Sequence, residues 1–337
     1  MFYIRADANE KIATGHMVRC LAIAEAAREA GEDTTFIMAD DRGKGLVDAK
    51  GFQSIVLNTT WDEMNTEIPT ILEVIKENGI KSLFIDSYFV TETYLTELRK
   101  ITHVAYIDDL NLFKYPVDTL ICYASYYKKF AHEDNYTDTE LLLGINYAPL
   151  RHEFSQCGEK KIASKIENVL LMSGGTDQYD IIEGVLDAID KKRYKNIYVT
   201  CGIFYQGINE LKRKYENYPS VKIMRNIPDI KNYMDAVDIA VTGAGTTLFE
   251  LCAVGLPAIS YILADNQILN GRQFDADGII PCMGDVRQDD IVHKVAEYLE
   301  RYDGNQLERK KISLKMQKYV DGKGAMRIAQ KMIEWNR

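Results

Sequence analysis

Short apolar runs alternate with amphipathic stretches along the whole chain, and this alternation predicts the elements of the fold. Apolar runs of about four to eight residues are typical of buried strands, and apolar positions repeating every three or four residues are typical of helices. Their alternation predicts parallel strands joined by helices. In the first half the predicted strands are Phe2–Asp7, Thr34–Ala39, Ser54–Leu57, Lys81–Asp86, Thr102–Ile107, Thr119–Cys122 and Glu140–Leu143.

The alternation is interrupted between residues 144 and 165, where Pro149, Gly158 and clustered charges break the pattern, and it then restarts. We therefore predict two doubly wound, Rossmann-like α/β domains that face a cleft, residues 1–155 and residues 156–337, the second with a helical tail. The predicted strands of the second half are Val169–Ser173, Asn196–Thr200, Val221–Arg225, Ile239–Thr242 and Ala258–Ile262.

Amphipathic stretches between these strands predict the helices. The first predicted helix ends at Gly31, a residue type that commonly follows a helix C-terminus. The tail from residue 288 to residue 335 is strongly helical in composition, with lysines on faces that we expect to be solvated. The other predicted helices are His16–Ala30, Glu67–Asn78, Glu92–Lys100, Tyr179–Ile189, Asn209–Tyr215, Asp229–Ala236 and Thr247–Val254.

Composition places the chain among ordinary globular proteins, with 337 residues, 46% hydrophobic and 27% charged. The net charge of −9 disfavours nucleic acid and anionic lipid as partners, so a bound phosphate must be held by local geometry. Six scattered cysteines without a CxxC pair indicate reduced thiols, and neither a signal peptide nor a membrane span is visible. We expect a cytoplasmic monomer without a cofactor.

The first segment with candidate chemistry follows the first predicted strand. A helix starting at about Gly15 places His16 in its first turn, at the carboxyl edge of the sheet where ligands of open α/β sheets bind. The positive end of the helix dipole disfavours imidazolium, so the ring is expected to be neutral and able to accept a proton. A capping or packing histidine is the alternative. Asp7, at the strand end, either orients the ring or a substrate hydroxyl, or is simply a solvated strand-end carboxylate.

A glycine pair ends the first strand of the second half. Gly174 and Gly175 allow close approach to the backbone, and the helix that follows offers unpaired N–H groups to an anion. An ordinary tight turn fits these two residues equally well.

A second turn of small residues precedes the helix Thr247–Val254. Gly245, Thr246 and Thr247 could hold a diphosphate at the helix N-terminus without any lysine. Glu250, one turn further, has carboxylate oxygens that suit a ribose diol. The spacing from Thr247 to Glu250 also fits a capping box, and the spacing alone does not decide between the two.

Two further polar clusters follow strand ends. Asn266 and Gln267 either cap a helix or face the cleft, and Tyr88 either donates a hydrogen bond to substrate or anchors its loop. Asp108 and Asp109 also lie at a carboxyl edge, where they could approach the substrate. We expect no metal site, because the remaining histidines have no paired ligand spacing: His103, His132, His152 and His293.

These segments, in this order, resemble a known family: the UDP-2,4-diacetamido-2,4,6-trideoxy-β-L-altropyranose hydrolases of pseudaminic acid synthesis, often grouped with predicted spore-coat polysaccharide glycosyltransferases. The opening segment Arg5-Ala-Asp through Gly15-His16-x-x-Arg19-Cys-Leu-Ala is similar to the N-terminal signature of that family. The other similar segments are Gly144 to Phe154, Ser173 to Asp177, Gly245 to Glu250, Gly255 to Pro257, and Asn266-Gln267.

The resemblance implies a glycosyltransferase-B fold with UDP held chiefly by the second domain and water as the acceptor. His16 would activate water for attack on the anomeric carbon, with inversion and release of UDP. Gly15 and Arg19, in the same motif, would bind substrate. The other implied contacts are Tyr88 and Asn266 to the sugar diphosphate, Gly245, Thr246 and Thr247 to the phosphates, and Glu250 to the ribose.

Two positions depart from the pattern of that family. Ala13 stands where the family commonly has Gly before the Gly-His pair, and Ala244 stands where a second Gly often precedes the Gly-Thr turn. Two alternatives to the hydrolase stay open, the first because the fold and the helical tail also suit a transferase, and the second because of these two alanines. One is a UDP-sugar-dependent glycosyltransferase in surface or spore-coat polysaccharide synthesis, and the other is a nucleotide-sugar binding protein without chemistry.

Overall fold

A computed structural model describes residues 1–172, 177–202, 205–225, 227 and 229–336, which form two compact units. The first unit contains Met1–Ser155 and Gly322–Arg337, and the second contains Gln156–Asp321. Each unit has a parallel sheet flanked by helices, which confirms the α/β class.

The first unit is built on a seven-stranded sheet in the order β3-β2-β1-β4-β5-β6-β7, and every strand pair is parallel. Because β1 lies between β2 and β4, the strand order reverses there, and this switch point is where doubly wound sheets bind ligands. The strands are β1 Phe2–Ala6, β2 Thr34–Met38, β3 Gln53–Val56, β4 Ser82–Asp86, β5 His103–Ile107, β6 Thr119–Cys122 and β7 Glu140–Leu143.

The helices of this unit cover the sheet with apolar faces. In α3, for example, Met64, Ile71 and Ile75 are buried in the same core as strand residues of β4. The Oγ1 of Thr91 accepts the backbone N–H of Tyr94 at 3.0 Å and so caps α4. The helices are α1 Gly15–Glu29, α2 Lys44–Ala49, α3 Met64–Glu77, α4 Glu92–Arg99 and α5 His132–Asn135, with 3₁₀ turns at Tyr127–Phe130, Ile145–Tyr147 and His152–Phe154.

The second unit has a six-stranded parallel sheet in the order β10-β9-β8-β11-β12-β13, with its own switch point between β8 and β11. The strands are β8 Asn168–Met172, β9 Asn196–Cys201, β10 Val221–Arg225, β11 Ile239–Gly243, β12 Ala258–Ile262 and β13 Cys282–Asp285. The helices are α6 Ile181–Ala188, α7 Ile208–Lys214, α8 Ile230–Ala236, α9 Thr247–Val254, α10 Asp265–Ala276, α11 Ile291–Asp303 and α12 Gln306–Tyr319, with a 3₁₀ turn at Lys191–Arg193.

The last helix, α13 (Gly324–Trp335), belongs to the first unit, whereas the sequence placed the whole tail in the second domain. Trp335 stacks on His103 with ring centroids 4.8 Å apart, and its indole N–H donates to Glu140 at 3.0 Å. The amphipathic pattern of the tail predicted a buried face but not the surface on which it packs. No helix in the described residues is long and apolar enough to span a membrane.

Candidate functional site

His16 lies at the switch point of the first sheet. The loop after β1 leads into α1 at Gly15, so His16 is the second helical residue, as expected, and only 6% of it is exposed. Its Nδ1 lies 2.6 Å from Oδ1 of Asp86, the last residue of β4. Because β4 pairs directly with β1, the sheet brings together two side chains that are 70 positions apart.

The Asp86 carboxylate is buried and charged. Burial opposes its ionisation, but the charge of Arg19 and the hydrogen bonds from Arg19 and His16 more than compensate, so the pKa of Asp86 lies well below its usual range. An ionised carboxylate only accepts hydrogen bonds, and we therefore assign the proton of the His16 ring to Nδ1. Within the described residues no hydrogen-bond partner lies at Nε2, so this nitrogen is the one that can accept a proton.

Arg19, one turn along α1 from His16, binds Asp86 with two nitrogens. Its Nε lies 2.5 Å from Oδ2 of Asp86, and its Nη2 lies 2.6 Å from Oδ1. Its Nη1 reaches Oδ2 of Asp109 at 3.0 Å and the hydroxyl of Tyr123 at 2.7 Å. All three nitrogens of this buried guanidinium are thus hydrogen-bonded to other side chains of the protein.

The ring of Tyr88 packs against the ring of His16. The two rings meet edge to face with centroids 4.4 Å apart, and the Tyr88 hydroxyl donates to Oδ2 of Asp109 at 3.2 Å. Tyr88 is 37% exposed, so part of this residue is accessible to solvent beside His16.

Asp7 has structural partners at both carboxylate oxygens. Oδ2 lies 2.5 Å from Nη1 of Arg5, and Oδ1 accepts the backbone N–H of Ala39 at 2.8 Å. The predicted orienting role for the His16 ring is instead filled by Asp86. The signal for Asp86 was present in the sequence as an acidic residue ending an apolar strand, but its pairing with His16 depends on the strand order.

Ala13, in the loop before α1, has a left-handed backbone with φ of 56°. Residues with a side chain are strained in this conformation, whereas glycine adopts it readily. This gives a physical reason for the glycine of the family pattern.

Replacing Ala13 with Gly should therefore stabilise the first unit by about 0.5–1 kcal/mol. Both tryptophans, Trp61 and Trp335, lie in this unit, so urea unfolding followed by tryptophan fluorescence measures its stability. Ala30→Gly is the control, because Ala30 is exposed at φ of −83° and should gain nothing. An Ala13→Gly variant no more stable than the parent protein would contradict the strain.

A pocket of about 220 Å³ opens at the carboxyl edge of the second sheet. The ends of β8, β9 and β11 meet the first turn of α9 there, at the switch point of this sheet. Thr247 and Glu250 contribute polar side chains to the pocket. Its lining residues are Met172, Thr200, Cys201, Gly202, Ile227, Ile230, Thr242, Thr247 and Glu250.

The start of α9 argues against the capping box. The N-cap residue is Thr246, without a side-chain capping bond, so the third helical residue is Phe249 and not Glu250. Glu250 lies one position further and lines the pocket. The amides of Leu248 and Phe249 donate to the carbonyls of Gly245 and Thr246, so among the described residues only the amides of Thr246 and Thr247 at this helix start are without a partner. Gly174 and Gly175, the other predicted anion turn, lie outside the described residues.

The two predicted amides at the start of α10 differ in role. Gln267 binds the loop before α10, because its Oε1 accepts the backbone N–H of Leu263 at 3.0 Å, while Asn266 is exposed. Asn270, which the sequence analysis missed, donates from Nδ2 to the carbonyls of Ala244 at 3.0 Å and Gly245 at 3.2 Å. It therefore ties α10 to the small-residue turn before α9.

The methyl group of Ala244 packs against α10. A Cβ on Gly271 would lie 2.9 Å from Cβ of Ala244 and 3.2 Å from Sγ of Cys282. Because Gly271 has no side chain, there is room for the methyl group of Ala244, the second residue that departs from the family pattern. Ala244 is not part of the pocket lining.

Gly271→Ala should destabilise the second unit by about 1–3 kcal/mol, because an added methyl has no room at this contact. Urea unfolding followed by far-ultraviolet circular dichroism would measure the loss. Gly304→Ala provides a control, since its added Cβ has no atom within 4 Å and its φ is −74°. Equal stability of the two variants would contradict the close contact.

Asp177, before α6, makes the second unit sensitive to pH. It is buried, and burial raises its pKa to about 6, although the backbone N–H groups of Ile181 and Ile182 bind its carboxylate and oppose the shift. The nearby acids Asp180 and Glu183 raise the pKa further.

The unfolded chain loses the Asp177 proton near pH 4 and the folded chain keeps it until about pH 6, so stability should fall as pH rises through this window. The expected loss is about 2–3 kcal/mol. Unfolding of Asp177→Asn at pH 4.5 and pH 7, compared with the parent protein, isolates this contribution. An unchanged pH dependence in the variant would assign the effect to another group.

Among the described residues, no group of three or more His, Cys, Asp or Glu side chains is arranged to hold a metal ion, and no disulfide joins the six cysteines. In the first unit, Nε2 of His132 lies 3.7 Å from Oδ2 of Asp108, and both side chains are fully buried.

Solved structures share this arrangement of two parallel α/β sheets. Acinetobacter baumannii MurG matches with a TM-score of 0.73 and 12% identity, covering 99% of this chain and 100% of that one. The chain has the glycosyltransferase-B fold. Anabaena Alr3699/HepE, solved with UDP and glucose, matches this fold with a TM-score of 0.60 and 11% identity over 99% of both chains.

Sequence relatives agree with this fold. Residues 168–330 match the glycosyltransferase family 28 C-terminal domain. Uncharacterized protein MJ1062 of Methanocaldococcus jannaschii is 25% identical over 79% of this chain and 56% of its own length. The spore coat polysaccharide biosynthesis protein SpsG of Bacillus subtilis is 23% identical over 57% of each chain. The chain spans little more than half the length of these curated relatives.

Proposed function

We propose that this chain hydrolyses a UDP-linked sugar to UDP and the free sugar. The observation that carries the proposal is the contact of 2.6 Å between His16 Nδ1 and the ionised Asp86. A general base must have an unprotonated acceptor atom held in a fixed orientation. Asp86 accepts a hydrogen bond from the Nδ1–H group of His16, which leaves Nε2 to accept the proton of an attacking water.

In this reaction His16 Nε2 removes a proton from water as the water oxygen bonds to the anomeric carbon. The bond from that carbon to the β-phosphate oxygen breaks, and UDP leaves with the electron pair. Attack opposite the leaving group inverts the anomeric carbon. Asp86 stabilises the imidazolium that forms, in the way that a buried carboxylate supports other histidine bases.

The second unit would hold the nucleotide. The N-terminus of α9, with Thr246 and Thr247, provides amides and hydroxyls for the diphosphate despite the net charge of −9. Glu250 lines the adjacent pocket and could accept both ribose hydroxyls. The Anabaena structure with the same fold was solved with UDP and glucose, which supports a UDP-sugar as the ligand.

Water as acceptor is favoured by the cover over His16. His16 is 6% exposed, and the centroids of its ring and the Tyr88 ring are 4.4 Å apart. We infer that this cover leaves space for a small acceptor rather than a bulky one. For the sugar we propose UDP-2,4-diacetamido-2,4,6-trideoxy-β-L-altropyranose, the substrate of the hydrolases that the opening segment resembles. Tyr88 and Asn266 are the proposed contacts to the sugar diphosphate.

A glycosyltransferase is the second candidate. It is supported by the match of residues 168–330 to a glycosyltransferase domain and by SpsG, whose name places it in spore coat polysaccharide biosynthesis. The same base would then deprotonate a sugar hydroxyl instead of water.

The test follows the proposed UDP-sugar by proton NMR with purified protein. A hydrolase releases UDP and free sugar of inverted anomeric configuration without any acceptor. Release only after a sugar or lipid acceptor is added would establish the transferase instead. Binding of the UDP-sugar without release under either condition would contradict both and leave a binding protein.

A further inference from the structure

The guanidinium of Arg19 is surrounded by protein groups at a place where the motif implied a substrate contact. The side chain is only 10% exposed. Its described hydrogen bonds run to Asp86, Asp109 and Tyr123 at distances of 2.5–3.0 Å, and its Nη2 also lies 3.1 Å from Nδ1 of His16. A side chain with these partners has little capacity left for a ligand.

We propose that Arg19 is a positioning residue that fixes Asp86 and Asp109 together, and through them His16 and Tyr88. The proposal rests on the hydrolysis proposed above, and it replaces the substrate contact implied for Arg19. In this arrangement one side chain sets the orientation of the base and of the aromatic ring that covers it.

The contact with Asp86 fixes the plane of its carboxylate. Two parallel bonds, from Nε to Oδ2 and from Nη2 to Oδ1, hold both oxygens, whereas one bond would allow rotation. His16 Nδ1 binds the same Oδ1. The direction of that hydrogen bond, and hence the direction of Nε2, therefore depends on the guanidinium.

The contact with Asp109 extends the same control to Tyr88. Oδ2 of Asp109 accepts from Nη1 of Arg19 and from the hydroxyl of Tyr88. Arg19 also balances the charge of the two carboxylates, which would otherwise repel each other at this sheet edge. A lysine cannot reproduce this role, because its ammonium lacks the planar fork that reaches both acids.

The first experiment reads the His16 ring directly. Nitrogen-15 NMR of histidine-labelled protein distinguishes the two ring tautomers, and a His16→Gln variant assigns the signals. We expect Nδ1–H alone in the parent protein and a mixture of tautomers in Arg19→Lys and Asp86→Asn. Arg28→Lys, an exposed change on the same helix, should keep the parent spectrum. A parent-like spectrum in Arg19→Lys would overturn the proposal.

The second experiment separates positioning from substrate binding. Arg19→Lys should lower kcat by roughly 10–100-fold while KM stays within about threefold. In an Asp86→Asn background the same change should cost much less, because Arg19 acts through Asp86. A raised KM with kcat retained would make Arg19 a substrate ligand and overturn the proposal.

The two experiments also separate this inference from the proposed function. If the parent protein releases no UDP, the hydrolase proposal fails, while the tautomer of His16 in the free protein still decides the role of Arg19. Asp109→Asn supplies a second variant that removes only one arm of the guanidinium. It should displace Tyr88 and leave the tautomer of His16 unchanged, and a change of tautomer would contradict the division of roles.

Discussion

Replacing His16 with Gln should lower the rate of UDP release by roughly 10²–10⁴-fold, the usual contribution of a positioned general base. Gln is polar and of similar size, so it should fill the space beside Tyr88 and Asp86 without supplying a basic nitrogen. The rate is measured as UDP formed from the UDP-sugar at saturating substrate, so that the change appears in kcat.

Affinity for UDP separates a catalytic defect from a folding defect. The proposed UDP contacts lie in the second unit, around Thr247 and Glu250, so His16→Gln should bind UDP as tightly as the parent protein by calorimetry. His152→Gln is a matched control, because His152 is a half-exposed histidine of the same unit that pairs with Glu29. If His16→Gln kept a rate close to that of this control, His16 would not be the base.

The strands were predicted well because their signal is local. Each buried parallel strand is a short apolar run between polar segments, and Thr119–Cys122, Glu140–Leu143 and Ala258–Ile262 have the predicted bounds. β13 and α2 were not predicted, because their hydrophobic patterns are short and weak. β13 is only four residues long with a glycine inside it, and α2 is a short helix in which only Val47 is buried.

The site was predictable only in part, for a reason of topology. His16 was identified because a histidine at a helix start after a strand is a local feature. Its partner Asp86 could be found only from the order of the strands, which places β4 beside β1. The network of Arg19 depends on the same order, because Asp86, Asp109 and Tyr123 lie at or just after the ends of three neighbouring strands, β4, β5 and β6.

A second buried charge network lies near His16 in the sequence but has no role in the proposed chemistry. Arg5 and Glu67 are both fully buried and form two hydrogen bonds, at 2.9 and 2.8 Å. Arg5 also binds Asp7, while Tyr94 and Thr59 donate their hydroxyls to Glu67. These contacts satisfy the buried charges and connect β1 to α3 and α4, so they support the strand that leads to the site.

Arg5→Met should therefore destabilise the first unit by about 3–5 kcal/mol, because it leaves two buried carboxylates without their cation. This is the largest stability effect expected for a single change in this network. Urea unfolding followed by tryptophan fluorescence measures it, since Trp61 and Trp335 both report on this unit. A variant within about 1 kcal/mol of the parent would show that the charges are not buried as described.

A double variant shows whether Arg5→Met destabilises the protein because packing is lost or because Glu67 is left as an uncompensated buried charge. In Arg5→Met with Glu67→Met, the cation and its main carboxylate partner are both replaced by apolar groups, so part of the lost stability should return. If the cost came only from lost packing, the double variant would be less stable than Arg5→Met. Recovery of stability would show that Arg5 compensates the buried charge of Glu67, and that β1, the strand before His16, depends on this balance of charges.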